Sequence, residues 1–349
     1  MPRIAENEIR AFAEAVLTKS GLAAEDAVAT ADGLIQSTKR GVTTHGVFRL
    51  PQYCAAIRAG KINKAPQVKV LQRRGCTALV DAGGGYGYRP TLLAMDEAIA
   101  LAREHGIAVV GVRDSHHFGA AAIYTDHAAE HGLIGIATTT TKARIAPTGA
   151  RGAVVGNNPI SIAVPRRPPH RPVNLDMALS QVALGRIRIA AANGTTVPEG
   201  WGFDGEGRST TDPNAIIHGG LLAAIGGHKG YGLSVMVELL AGALTGSRFG
   251  LNADNHDHPK GGVGHLVIAI APDFMRDIEA FYDDVETLVG MIKASPLADG
   301  SPGVYLPGEI EAGKAADADA RGLIISSDLQ GQLASLAAEL GVPAPGYLS

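Results

Sequence analysis

The chain has 349 residues, a formal net charge of −3, 45 glycines and two cysteines. A chain this long can bury a large core in two lobes, while its near-even charge and lack of a basic face argue against a nucleic-acid partner. No apolar run reaches the roughly 20 residues of a membrane-spanning helix, the N-terminus has no signal-peptide core, and Cys54 and Cys76 form no CxxC pair, so a cytoplasmic, reducing compartment is expected.

The first 60 residues carry apolar positions at helical spacing, with Gly21 as the stop of a first helix. Helix formers resume after Thr44 and end at Gly60, which places His45 and Arg49 one turn apart on one face. From residue 66 the texture changes. Strands are expected at 68–71 and 77–81 around a turn at Gly75. Helix 91–104 and strand 107–112 come next. Helix 119–131, with Ser115 as a cap, leads to strand 133–137. Strands near 160–164 and 173–176 flank a Pro/Arg loop. A glycine-punctuated loop covers 194–227. Helix 229–245 leads to a buried strand at 265–271, and helices at 275–293 and 323–340 surround a Pro-rich loop at 296–308. Helical ends around a mixed middle suggest a helical lobe of residues 1–75 joined by 296–349, and a sheet domain of residues 76–295.

The segment Thr44-His-Gly-Val-Phe-Arg49 has the chemistry of an enzyme for small carboxylates. A guanidinium grips a carboxylate through two parallel hydrogen bonds, and an imidazole moves a proton near neutral pH. The glycine-rich stretch Asp81-Ala-Gly-Gly-Gly-Tyr-Gly-Tyr88 follows a strand but fails the dinucleotide fingerprint. Counted from Gly83 the sixth position is Tyr88, and counted from Gly85 it is Pro90. His256 and His258, with Asp254 and Asp257, are better explained as a solvated polar loop than as metal ligands.

Six segments in chain order resemble one family: Thr44 to Arg49; Asp114-Ser-His-His-Phe-Gly-Ala-Ala-Ala-Ile-Tyr124; Gly156-Asn-Asn-Pro-Ile-Ser-Ile-Ala-Val-Pro165; Leu175-Asp-Met-Ala-Leu-Ser180; Gly200-Trp-Gly-Phe-Asp-Gly-Glu-Gly with Thr211-Asp-Pro; and the run from Gly226-Gly-His-Lys229 to Gly242. Together they are similar to the malate/L-lactate dehydrogenase family, which is unrelated to the Rossmann lactate dehydrogenases. That group also includes ureidoglycolate, sulfolactate and diketogulonate oxidoreductases and reductases of piperideine- and pyrroline-2-carboxylate. The resemblance implies an α/β fold whose non-Rossmann nicotinamide-binding domain has a largely antiparallel sheet, beside a helical lobe from both chain ends. It implies NAD or NADP as cofactor, and a homodimer with the active site in a cleft between lobes.

Carried onto this sequence, the resemblance makes His45 the proton donor and acceptor and Arg49 the carboxylate clamp. Thr44 stands where serine is expected and keeps a hydroxyl for substrate. His117 lines the nicotinamide and substrate pocket and is the rival acid/base, next to Gly119. His116 replaces a frequent asparagine. Asp176 is either the carboxylate that orients His45 and raises its pKa or a cofactor contact with Met177 and Ala178. Thr140, His228 and Lys229 are further cofactor contacts, with the Lys229 ammonium suited to phosphate or ribose hydroxyls. Pro307, Gly308 and Glu309 form a late cofactor loop. Arg166, Arg167 and Arg186 are candidates for a 2′-phosphate. Glu238 is read as a structural buried acid. The expected reaction is hydride transfer between NAD(P) and a small 2-hydroxy/2-oxo acid of malate or L-lactate type. The alternatives are an NADPH-dependent cyclic imine carboxylate reductase, a ureidoglycolate or sulfolactate dehydrogenase, and a non-catalytic ligand-binding relative.

Overall fold

In the computed structural model, residues 3–253 and 261–348 are described. The Asp/His cluster at 254–258 lies outside them. The chain opens with a short strand β1 (Arg3–Ile4) and helices α1 (Glu6–Lys19) and α2 (Ala24–Lys39). Two 3-10 turns, Thr43–His45 and Val47–Arg49, lead into α3 (Leu50–Arg58). Then come β2 (Lys69–Arg74), β3 (Thr77–Asp81), α4 (Tyr88–His105), β4 (Ile107–Ser115), α5 (Ala122–Glu130) and β5 (Ile134–Thr139). A middle section holds β6 (Ala143–Ile145), β7 (Val155–Gly156), β8 (Ile160–Val164), β9 (Val173–Met177), α6 (Leu184–Ala192), β10 (Gly202–Phe203), α7 (Pro213–Ile217) and β11 (Leu221–Leu222). Helix α8 (His228–Val237) widens into a π-helical stretch, Glu238–Ala243. After it come β12 (Val263–Ile270), α9 (Ile278–Lys293), α10 (Glu309–Arg321), β13 (Leu323–Ile324) and α11 (Ser327–Leu340).

Two local expectations are corrected, and two helices had no signal in the sequence. The segment after Thr44 is not one continuous helix, because the extended Gly46 (ψ −158°) separates the two 3-10 turns. Ser115 ends a strand instead of capping a helix, and α5 starts at Ala122. Helices α6 and α10 carry no helical apolar period that a reader could find. The core of α6 alternates Arg-Ile-Arg-Ile, and α10 has Ile310 as its one large apolar residue, so its buried face consists of Ala315 and Ala318.

Seven strands form the main sheet in the order β2-β3-β4-β12-β5-β8-β9. Only β3 and β4 pair parallel; the other neighbours are antiparallel. The central strand β12 is buried along most of its length, because α4 and α5 cover one face of the sheet and the end of α8 covers the other. The α4 contact is built from Ala94, Ala98 and Ala102 against Val110, Val112, Val267 and Ala269. Small residues on the helix let it approach the sheet closely. The edge strand β2 shows mostly charged residues to solvent, which discourages pairing with another sheet.

A second core joins α1, α2 and α3 to α11. Tyr86 and Tyr88, at the start of α4, insert into it. Gly33 on α2 makes room for Tyr88: a Cβ there would lie 2.2 Å from the ring. A third, smaller core gathers Ile145, Val155, Val182, Ile187, Val197, Ile216 and Leu222. Among the described residues, no helix is long and apolar enough to cross a membrane.

Candidate active site

The turn that carries His45 is pressed onto α2. A Cβ at Gly46 would come within 2.3 Å of Thr38 Oγ1, and Val47 N–H donates to that same oxygen at 3.0 Å. Arg49 folds back over the turn. Its Nε donates to the Thr44 carbonyl at 2.6 Å and its Nη1 to Gln52 Oε1 at 2.9 Å. The two 3-10 turns therefore keep the imidazole and the guanidinium near one another without a shared helix. Thr44 Oγ1 lies 3.0 Å from His45 Nδ1. The methyl of Thr44, absent from the serine expected there, packs at Gly185, where a Cβ would be 2.4 Å from it. Burial, with the Arg49 charge adding to it, lowers the His45 pKa from 6.5 to about 4. His45 is thus neutral at pH 7 in this structure, contrary to an imidazolium supported by a carboxylate.

His117 comes from the segment after β4, and the glycine-rich stretch is what holds it. Gly84 N–H donates to Asp114 O (2.8 Å), His116 N–H to Gly85 O (3.1 Å), and Gly87 N–H to His117 O (2.9 Å). A Cβ at Gly87 would meet Phe118 Cβ at 2.5 Å and His265 Nε2 at 2.7 Å. The stretch that imitates a phosphate-binding loop is thus a backbone shelf for a histidine segment. Below it, His265 on β12 sits between Thr139 Oγ1 (2.7 Å) and Ser115 Oγ (2.8 Å) and stacks on Phe118 at 4.6 Å. Burial drives its pKa down to about 3, so it stays neutral.

The rings of His45 and His117 stack at 5.2 Å with an interplanar angle of 20°. Tyr53 on α3 reaches His117 Nδ1 with its hydroxyl at 2.5 Å, and the same hydroxyl lies 3.1 Å from that of Tyr88. Gly119 N–H also points at Nδ1, at 3.3 Å. A backbone N–H can only donate, so Nδ1 is an acceptor, Tyr53 donates to it, and the ring proton sits on Nε2. Burial pushes the Tyr53 phenol up to about 12, which keeps it a donor.

Asp176, at the end of β9, does not orient His45. Its Oδ2 accepts from Ala122 N–H, at the start of α5, at 2.9 Å. The residue as a whole is exposed, while protein atoms crowd around its carboxyl group. That crowding governs its proton affinity: desolvation raises its pKa from 3.8 to about 6, against the opposing pull of the Ala122 N–H and the Arg40 charge. Arg40 itself pairs with Asp126. Residues 117–122 thus link His117 to Asp176, while His45 and Asp176 remain separate.

The remaining candidates surround this centre. Thr140 is buried, and its hydroxyl accepts from Gly264 N–H at 3.2 Å, so it is engaged with the sheet. Met177 and Ala178 follow Asp176, half-buried. Gly226 and Gly227 have φ of 59° and 63°, and the space where a Gly227 Cβ would point is open. They precede His228 and Lys229, both exposed in the first turn of α8. An open glycine turn at a helix start and an exposed ammonium make a site suited to phosphate. Pro307 O accepts from Asn174 N–H at 3.1 Å. Gly308 (φ 79°) lies where a Cβ would be 2.6 Å from Asn174 O, which fixes the loop beside β9. Glu309 is held by Lys293 at 2.5 Å and by Leu306 N–H at 2.8 Å. Arg166 pairs with Glu286, and Arg167 pairs with Glu279 and Asp283, while Arg186 is exposed at the start of α6. Glu238 is buried and accepts from Gly156 N–H (2.9 Å), Asn158 Nδ2 (2.9 Å) and Gly250 N–H (3.0 Å), a structural acid inside a π-helical stretch.

The family model for malate/L-lactate dehydrogenase matches residues 4–334. The chain belongs to the malate/L-lactate dehydrogenase family. It is 36% identical over 314 residues to a malate dehydrogenase from Pyrococcus abyssi, covering 88% of this chain and 86% of that protein. It is 37% identical over 273 residues to a Δ1-pyrroline-2-carboxylate/Δ1-piperideine-2-carboxylate reductase from Pseudomonas putida (77% and 80% covered). The solved structure of the sulfolactate dehydrogenase from Methanocaldococcus jannaschii superimposes with a TM-score of 0.90 at 34% identity, covering 100% of both chains. Membership in the malate/L-lactate dehydrogenase family accounts for the mixed fold with its mostly antiparallel sheet and for the missing dinucleotide fingerprint. Sequence reading passed over Tyr53, Tyr88 and His265. Tyr53 could have been found, since it lies four residues after Arg49, one turn into α3. His265 gave no signal, because a histidine inside an apolar strand reads as core.

Proposed function

We propose that this protein is an NAD(P)-dependent oxidoreductase that interconverts a small 2-hydroxy acid with its 2-oxo acid. The observation that carries the reading is the stacked pair His45 and His117, with Arg49 folded onto the turn that carries His45. Substrate sits against the helical lobe, residues 1–75 with 296–349, and cofactor against the sheet domain, residues 76–295. The glycine turn before α8, Lys229, the loop Pro307, Gly308 and Glu309, and the stretch from Asp176 to Ala178 hold the cofactor. When bound, the nicotinamide supplies or accepts the hydride at the substrate's C2.

Arg49 binds the substrate carboxylate through its guanidinium edge. His45, neutral before substrate arrives, takes the hydroxyl proton during oxidation and returns it to the developing alkoxide during reduction. A bound carboxylate beside Arg49 offsets the charge that depresses His45 and raises its affinity for that proton. His117 presents its Nε2–H to the reacting oxygen and polarises it.

The cyclic imine reaction is the second reading, favoured by the 37% identity to the Pseudomonas putida reductase. It uses the same carboxylate clamp and the same C2 centre. Following NADH and NADPH absorbance with oxaloacetate, pyruvate and piperideine-2-carboxylate in parallel separates the two. Turnover of the imine alone overturns the hydroxy-acid reading.

The assembly we propose is a homodimer. Leu233, Met236, Leu240 and Leu244 lie exposed along one face of α8 and its extension, an apolar stripe of the kind that marks contact between proteins. Leu244→Glu should convert a dimer to a monomer in light scattering. A reducing, cytoplasmic compartment fits the two free cysteines.

A further inference from the structure

Helix α6 and strand β6 bring two more guanidiniums to the edge of this site. The second residue of α6, Gly185, touches Thr44, next to His45. Arg188 follows three residues later, one turn further along the same side of the helix. Ile187 on α6 and Ile145 on β6 share one buried cluster, so α6 packs against the strand that carries Arg144. The pKa of Arg188 is lowered by burial and then by the charges of Arg49 and Arg144, and no carboxylate opposes them. Among the described residues, none of these three arginines forms an ion pair. Neighbouring guanidiniums repel one another, and an anion bound among them relieves that repulsion. One carboxylate on Arg49 neutralises one of three charges.

We propose that Arg188, with Arg144 beside it, binds a second anionic group of the same substrate whose first carboxylate sits on Arg49. The site then selects 2-oxo and 2-hydroxy acids that bear a further carboxylate or sulfonate over monoanions. This rests on the hydride-transfer reading above for the position of the first carboxylate. A cofactor phosphate is the competing occupant, but α6 reaches Thr44 and Arg188 feels Arg49, so the extra charge lies beside the substrate clamp.

The test compares wild type with Arg188→Gln, an exposed position where the fold should survive; an unchanged melting curve checks this. Steady-state rates are measured with oxaloacetate and with pyruvate. The variant should lose about 10–100-fold in kcat/KM for oxaloacetate, the range for one charge-assisted hydrogen bond, and no more than about threefold for pyruvate. Arg144→Gln should show a smaller loss in the same direction, and Arg188→Lys should recover part of it. Equal losses on both acids, no loss, or a rise confined to the cofactor KM overturns the proposal. Calorimetric titration with L-malate and L-lactate provides a readout that needs no turnover. If wild type reduces neither acid, the hydride-transfer reading fails. The second-anion proposal is still decided by whether malate binds more tightly than lactate and loses that advantage in Arg188→Gln.

Discussion

The hydroxyl of Tyr53 lies 2.5 Å from Nδ1 of His117 and 3.1 Å from the hydroxyl of Tyr88. Two tyrosines with no titration of their own near neutral pH thereby reinforce the Gly119 N–H in keeping the proton of His117 on Nε2. Tyr53→Phe removes the donor and leaves Tyr88 without this partner, in a region where an unmet polar group costs about 1–3 kcal/mol. Only the longer Gly119 N–H contact, at 3.3 Å, then keeps the proton of His117 off Nδ1. We expect kcat to fall about 10–100-fold with KM nearly unchanged. Nitrogen-15 spectra of histidine-labelled protein should show His117 Nδ1 losing its acceptor signature. An unchanged spectrum would remove Tyr53 from the tautomer argument.

The depressed pKa of His45 has a direction that can be measured. Its folded value of about 4 lies below the ordinary 6.5, so the folded state binds fewer protons than the unfolded chain between these values. The stability it contributes is complete above pH 6.5 and declines as pH falls through about 4. His265, at about 3, acts the same way. For activity, kcat/KM in the oxidative direction should stay flat from pH 8 down to about 5, because the base remains neutral there. Arg49→Gln removes the second cause of the depression, so the acid limb should move to higher pH while substrate KM rises. A limb that stays in place would show that Arg49 does not act on the titrating group.

How much of this was legible in the sequence depended on whether the signal was local. The pairing of His45 with Arg49 was readable, but for a reason that needed correction. The two are not on one helix, and what keeps them close is the return of Arg49 to the Thr44 carbonyl. The buried strand around His265 was readable from its apolar run, whereas the hydroxyls that flank this histidine come from β4 and β5, 150 and 126 positions away in the chain. The glycines at 83–87 could be read only as failing the dinucleotide fingerprint, because composition does not say what packs against them. Of the two roles expected for Asp176, orienting His45 is not met, since its hydrogen bond goes to Ala122, a partner fixed by how β9 sits beside α5. Helix α6 and its Arg188 were hidden by an alternating pattern that reads as strand.

Asp176 shows a conflict between stability and function. Its folded pKa of about 6 stands above the ordinary 3.8. The folded state therefore binds more protons than the unfolded chain in that interval. The contribution to stability is greatest below pH 3.8 and is lost as pH climbs through about 6. Asp176→Asn keeps an oxygen for the Ala122 N–H and removes the charge. The variant should melt higher than wild type at pH 7.5 and match it near pH 4, while binding cofactor more weakly. Differential scanning at the two pH values checks this. A lower melting point at pH 7.5 would mean that burial does not govern this carboxylate.

Gly87 isolates the role of the glycine shelf, because its backbone (φ −72°, ψ −4°) is open to any residue. An alanine there meets no dihedral penalty, and its whole effect comes from the methyl group. That methyl would lie 2.5 Å from Phe118 Cβ, 2.7 Å from His265 Nε2 and 3.0 Å from the His116 carbonyl. Two of these three neighbours belong to the segment that carries His117. Gly87→Ala should therefore displace that segment, costing about 1–3 kcal/mol from overpacking, and kcat should fall more than substrate KM rises. Gly331→Ala is the matching control. Gly331 lies inside α11 with nothing within 4 Å of the added methyl, so its replacement should stabilise the protein by about 1 kcal/mol and leave kcat untouched. Chemical denaturation and steady-state rates on the two variants decide the matter. Equal rates in Gly87→Ala and wild type would show that the shelf tolerates the methyl and that His117 does not depend on it.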